Sequence, residues 1–446
     1  MTMGRKHGED QGELFVMAGE LPRSEGHAFY TKLNRLLAEA KFDAAVEQLC
    51  EPFYDDGSRG GRPSIPPGVY FRMLLVGYFE GLGSQRGIAW RCADSLSLRE
   101  FLGVKLTERT PDHSSLTRVR DRLPLPVHQR AFELVLKIAA ERGLLKGKAI
   151  AVDSTTLEAD AAMKSIVRRG SGEDWKAYVT RLMREEGVIE ADDEPTGEDL
   201  RRFDRKRKNK KVSNEDWVSE TDPDARITKL KDGRTRLAYK AEVGIDLQTE
   251  LILAAEVYGG DHSDTQTLAD TTLAAKTHLS EAGRDEAIEQ VVADKGYHAA
   301  AQLELVDWLG VRTYVPEPKR SGKSRLSDKP LEQQRAVKNN RQRTKTEKNK
   351  RLQRLRSERV ERTFAHLCDT GGARRSWLRG IDNVLKRLLI TAAARNLGLV
   401  MRKLTGIGKP RALQGLVDQL LALITHAIDT LMSISSRQTP GSSTGC

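Results

Sequence analysis

Cysteine is scarce in this chain: four in 446 residues, at Cys50, Cys92, Cys368 and Cys446, widely separated and never as CxxC. That excludes a zinc ribbon and a disulfide framework, and fits a reducing, cytoplasmic setting. The nine histidines show no metal-ligand spacing. There is no GxxxxGK[ST] cradle for a nucleotide phosphate and no HExxH for zinc. No apolar h-region opens the sequence, so no signal peptide is expected. Long apolar runs are missing as well. The most apolar late stretch, residues 413–432, carries Asp418, His426 and Asp429, and so reads as amphipathic rather than membrane-spanning.

Positive charge is plentiful. The net charge is +11 with 31% charged residues, against 38% apolar. The balance leaves enough apolar material for real cores and suits a polyanionic partner. The length calls for two or three domains.

In chain order, residues 1–25 are polar and Gly-rich. Helical patterns follow over 29–53, 69–82 and 84–104, with a Gly/Arg/Pro linker at 58–67. Residues 110–123 read as a capped helix, with Pro111, Asp112 and Ser114 at its start and Arg118, Arg120 and Arg122 near its end. A helical module presenting Arg and Ser from one helix has the shape of a helix-turn-helix reader, with Arg118 and Arg120 as candidate DNA contacts. A further helix over 127–142 leads through Gly143 and Gly147 into AIAVDSTTLEADA, residues 149–161. This stretch reads as a short buried strand ending on Asp153, with Ser154, Thr155 and Thr156 leaving it.

A long polar insertion, about 163–231, comes next. It has a helical pattern near 175–186, an acidic stretch, and a basic run at 201–211 with eight Lys/Arg against Asp204. Such runs are commonly solvated surface, with phosphate contact the alternative here. RLAYKAEVGID and LILAAEVYGG then form a hairpin, antiparallel to the first strand, turning at DLQTE. The loop DHSDT precedes a helix at about 265–279. The strand of IEQVVADKGYH runs into Asp294, and a helix near 299–309 and a strand at 311–316 follow. Residues 335–359 read as one basic helix with eleven Lys/Arg. An amphipathic helix spans 383–404, another 413–432, and the tail is low-complexity. Three sequential strands followed by strands alternating with helices make a mixed α/β layer.

Two strand ends and one helix thus offer carboxylates: Asp153, Asp294, and Glu358 or Glu361 in SERVERTFAHL. Phosphodiester cleavage needs a nucleophilic oxygen made reactive and a leaving oxygen stabilised, which two Mg²⁺ ions about 3.5–4 Å apart can provide. Hard Mg²⁺ takes oxygen ligands, so a few carboxylates suffice. Ser154, Thr155 and Thr156 have no paired base, which removes a hydrolytic triad.

At AVDSTTLEA, LAYKAEVGID, VVADKGYH and ERVERTFAHLCDTGGARR the chain resembles the DDE transposases of bacterial insertion sequences, in the branch with a helical N-terminal domain. The resemblance covers about 29–404. It implies an RNase H-like α/β fold, a mixed sheet with flanking helices preceded by an all-α DNA-binding domain. The corresponding division is 26–143 helical, 147–404 catalytic, 411–434 a C-terminal helix and 435–446 a disordered tail. It further implies Mg²⁺ (two ions, with Mn²⁺ possible), binding of element-end inverted repeats and target DNA, 3′-end cleavage and strand transfer, and a homo-oligomer on DNA without membrane association. Carried over by residue, Asp153 is the first acid, Asp294 the second and Glu361 the third, with Glu361 preferred over Glu358 because Glu361 and Phe364 match the E-x-x-F pattern. The family's Tyr, Arg and Lys around the glutamate are replaced here by Arg354, Ser357 and Cys368, leaving Arg356, Arg359 and Arg362 as substitutes. Lys295 and Tyr297 are further candidate DNA contacts, with a tight turn packed by Tyr297 as the alternative. Two other functions remain open from the residues: a non-catalytic DNA-binding protein derived from such an element, and an RNase H-like nuclease without strand transfer.

Overall fold

The computed structural model describes residues 26–54, 64–190, 192–207, 213–230, 232–284, 288–318 and 326–410. The expected C-terminal helix at 411–434 and tail at 435–446 lie outside the described residues, as do the last residues of the basic run at 201–211.

The described residues begin with seven α-helices: α1 (Ala28–Glu39), α2 (Phe42–Cys50), α3 (Pro67–Glu80), α4 (Gln85–Asp94), α5 (Leu96–Leu102), α6 (His113–Arg122) and α7 (Leu125–Glu141). Their ends follow from local chemistry. Asp112 caps α6 by accepting from the Ser115 N–H at 2.9 Å and the Ser114 hydroxyl at 2.8 Å. Gly81 and Gly103 close α3 and α5 in left-handed conformations.

The sheet begins with β1 (Ala149–Glu158). The polar insertion then builds β2 (Ile166–Arg168), α8 (Trp175–Glu185), α9 (Gly197–Lys206) and β3 (Trp217–Ser219), with a small core of its own from Val179, Met183 and Leu200. The first half of the basic run is therefore helix, started by a capping box between Thr196 and Asp199. The insertion ends sooner than its polarity implied, because β4 (Arg226–Lys229) already pairs with the main sheet.

The hairpin β5 (Thr235–Asp246) and β6 (Ile252–Gly259) follows, then α10 (Leu268–Glu281), β7 (Gln290–Val292), α11 (Ala300–Trp308) and β8 (Arg312–Tyr314). β5 is antiparallel to β1 and β6, while β7 and β8 run parallel to β1. The sheet order is thus β6-β5-β1-β7-β8, the mixed RNase H-like arrangement, with β4 pairing with the start of β5 on the same edge as β6.

The basic stretch at 335–359 is not one helix. It divides into α12 (Leu331–Thr344) and α13 (Glu347–Ala365), with Thr346 capping the second through the Asn349 N–H at 3.3 Å. The threonine side chain offers the backbone a competing partner at that point, which starts a new helix. A π-helical turn over His366–Thr370 leads on to α14 (Ile381–Thr405). α14 is buried along most of its length and packs against α7, α3 and β6. Helices and sheet share one contiguous core running from Phe29 to Ile407. Among the described residues no helix is long and apolar enough to cross a membrane.

Candidate active site

β1 and β7 pair in parallel with Ala151 opposite Val292. Asp153 and Asp294 each lie two residues further on, so the register sets them level on neighbouring chains. One expectation changes here. β1 does not end at Asp153 but continues to Glu158, paired with β5 throughout. It is β7 that stops, at Val292, two residues short of Asp294.

Both oxygens of Asp153 are engaged. Oδ1 accepts the Ser154 N–H at 2.8 Å, and Oδ2 accepts from Arg356 Nη1 at 2.7 Å. Burial raises its pKa, the Ser154 N–H and Arg356 oppose the rise, and the carboxylates of Asp294 and Asp264 add to it. Asp294 caps a short 3₁₀ turn, Lys295–Tyr297, accepting from the Gly296 N–H at 2.7 Å. A Cβ at Gly296 would stand 2.9 Å from Asp294 Oδ1 and 3.2 Å from Asp264 Oδ2, so glycine is what lets the two carboxylates approach.

Asp264 is the neighbour that the sequence reading passed over as part of a connecting loop. Its Oδ1 accepts from the Ser154 hydroxyl at 2.9 Å and pairs with Lys240 Nζ at 2.8 Å. Lys240 in turn meets Glu242 at 2.9 Å and donates to Thr267 Oγ1 at 2.8 Å. Glu242 is fully buried and also accepts from Thr267, Thr271 and Tyr297 hydroxyls. The signal was available: Lys240 and Glu242 are two apart in an otherwise apolar strand, hence on one face, where an unpaired charge would be costly.

α13 crosses β1 and β7. Gln353 donates to the carbonyls of Ala293 and Tyr314 at 3.1 and 2.9 Å, and Arg356 reaches Asp153. At the α-helical 100° per residue, Glu361 lies about 80° around the helix from Gln353 and Glu358 about 140°. Glu358 is turned to Arg362 at 2.7 Å. Glu361 is exposed and accepts from Ser357 Oγ at 3.0 Å. The two aspartates stand side by side, and Glu361 lies on the same helix as the Arg356 that reaches the first of them.

The expected DNA contacts divide. Arg118 and Lys295 are exposed. Arg120 has a side chain only 13% exposed and pairs with Asp121 at 3.2 Å. Tyr297 is a correction: its ring is at 0% exposure and its hydroxyl donates to Glu242 at 2.9 Å, so it packs the turn beneath Asp294. Arg359 and Arg362 are also engaged, both donating to Glu250 Oε1 in the β5–β6 turn. Arg395 Nη1 donates to the Glu250 carbonyl at 2.6 Å. The three arginines fasten α13 and α14 to that turn. Glu250 holds a φ of 66°, a left-handed conformation that this anchorage sustains.

The pocket's donors are carboxylate oxygens, the ligands of a hard divalent cation, and one Asp153 oxygen is already drawn to a positive group. Among the described residues no trio of His, Cys, Asp or Glu stands at metal-binding spacing. Asp153 and Asp294 fit the role of metal ligands, with Asp264 beside them.

Comparison with known protein families gives two matches. Residues 20–122 match a transposase domain, and residues 145–397 match a transposase DDE domain. No curated protein and no solved structure matches. The second match spans more than half of the sequence and takes in Asp153, Asp294 and the helix carrying Glu361, so the chain belongs to the DDE transposases.

Proposed function

We propose that this transposase cuts DNA at the ends of its element and joins the freed 3′ ends to target DNA, with Asp153, Asp294 and Glu361 as its three acids. The observation that carries the reading is the level placement of Asp153 and Asp294 on adjacent parallel strands, at the point where β7 stops. Divalent ions, Mg²⁺ or Mn²⁺, would supply activation of the attacking oxygen and stabilisation of the leaving one. The chain's own part is positional. β1 fixes Asp153, the Gly296 turn fixes Asp294, and α13 presents Glu361 from the side. Preset orientation of this kind accounts for much of a phosphoryl-transfer rate.

Element-end inverted repeats and target DNA are the substrates in this reading, bound by a homo-oligomer. Its support is the net charge of +11 and the exposed Arg118 and Lys295. Asp153→Asn should abolish metal-dependent nicking of a cognate end while leaving end binding largely intact in a gel-shift assay. Full nicking by that variant would remove Asp153 from the mechanism. Strand transfer from pre-cut ends separates a transposase from a nuclease, because a nuclease alone would give no joined product.

A further inference from the structure

We infer that Arg356 is a built-in counter-ion which occupies the cation position beside Asp153, and that a divalent metal must displace it to bind. The inference rests on the reading of Asp153 as a metal ligand and adds a competitor to that site.

The two oxygens of Asp153 differ in the partners they hold. Oδ1 accepts the N–H of Ser154, a neutral donor whose backbone is held in the strand paired to β5, and it keeps a second lone pair. Oδ2 is taken by Arg356 Nη1 at 2.7 Å. A divalent ion at Oδ2 would meet the positive guanidinium at contact distance, so the group that yields is the guanidinium. Among the described residues two cations touch these carboxylates, with different freedom. Lys240 is buried and tied to Glu242, Asp264 and Thr267 at 2.8–2.9 Å. Arg356 sits at the end of a flexible side chain on α13, held besides, among the described residues, by Gln353 Oε1 at 3.2 Å. Without Arg356 the carboxylates of Asp153, Asp294 and Asp264 would repel one another with Lys240 in contact with Asp264 alone, a costly arrangement. The arginine therefore stabilises the metal-free pocket and weakens metal binding by the same interaction. Removing it leaves anionic oxygens that attract a divalent ion more strongly.

The test is a Mn²⁺ titration of the full chain without DNA, reading free Mn²⁺ by electron paramagnetic resonance. Arg356→Ala should bind Mn²⁺ about tenfold more tightly than the unaltered chain, the scale set by one partly buried ion pair. Arg356→Lys, which keeps the charge but loses the guanidinium geometry, should fall between. Equal or weaker Mn²⁺ binding by Arg356→Ala, with an unchanged melting curve, overturns the inference. If the alanine variant does not fold, the lysine variant decides by the same comparison. Asp153→Asn separates this result from the reading beneath it. Mn²⁺ binding indifferent to that substitution removes Asp153 as a ligand, whereas binding that depends on Asp153 but not on Arg356 removes only the counter-ion.

Discussion

At the residue scale, the chemistry is concentrated in charges that a core does not ordinarily admit. Lys240 and Glu242 are both buried, and each is satisfied because the other is there, together with hydroxyls from Thr267, Thr271 and Tyr297. Glu256 stands across from Glu242 in the β5–β6 register and has no such compensation. Burial pushes its carboxyl up to about 7, with Glu242 and Asp270 adding to the rise. A raised folded-state pKa means that the stabilising contribution is complete below the ordinary carboxylate value and is lost as pH climbs through about 7. Glu256→Gln should therefore gain on the unaltered chain between about pH 5 and 8, by up to roughly 3 kcal/mol. Urea midpoints at several pH values would measure it, and parallel curves for the two proteins would refute it.

At the element scale, two asparagines close the sheet. β6 and β8 are edge strands, and exposed edges invite pairing with other chains. Asn396 on α14 gives and takes a hydrogen bond with the backbone of Ile252 on β6, both at 2.8 Å. Asn340 on α12 does the same for Val315, just past β8, at 3.1 and 2.8 Å. Asn396→Ala should cost about 2–4 kcal/mol, since it strands a buried N–H and a buried C=O at once. A denaturant midpoint within about 0.5 kcal/mol of the unaltered chain would show that water repairs the edge. The elements themselves were largely legible in the sequence. Alternating and continuous apolar patterns located β1, β5, β6 and β7, and cap residues located α6. The division of the basic segment at Thr346 was not legible, because the charge pattern continues through it and one capping hydroxyl decides it. β4 was hidden for a related reason: RITK is polar enough to pass for insertion, and only pairing with β5 makes it a strand.

At the scale of the whole molecule, the sequence implied a helical domain followed by a catalytic one. α14 binds the two together, lying against α7 and α3 of the first part and β6 of the second, within one core. Unfolding of the intact chain should accordingly show one cooperative transition for the helical part and the sheet, with fluorescence and circular dichroism curves superimposing. Two resolved steps would mean that α14 joins the halves only weakly. The pocket was partly legible at this scale. Asp153 and Asp294 each end an apolar run in the sequence, and parallel register brings them level. Asp264 could not be found that way, because what defines it is a set of contacts from β1, β5 and the Gly296 turn, segments far apart in the chain.

The extension of β1 beyond Asp153 has a mechanical consequence. A carboxylate seated in the middle of a ten-residue strand, bonded to its neighbour on both sides of that position, has no hinge within reach. It serves as an anvil: whatever enters the pocket must conform to it. The piece with latitude to adapt is the short turn led by Asp294. Errors in alignment are therefore absorbed on one side of the pocket only.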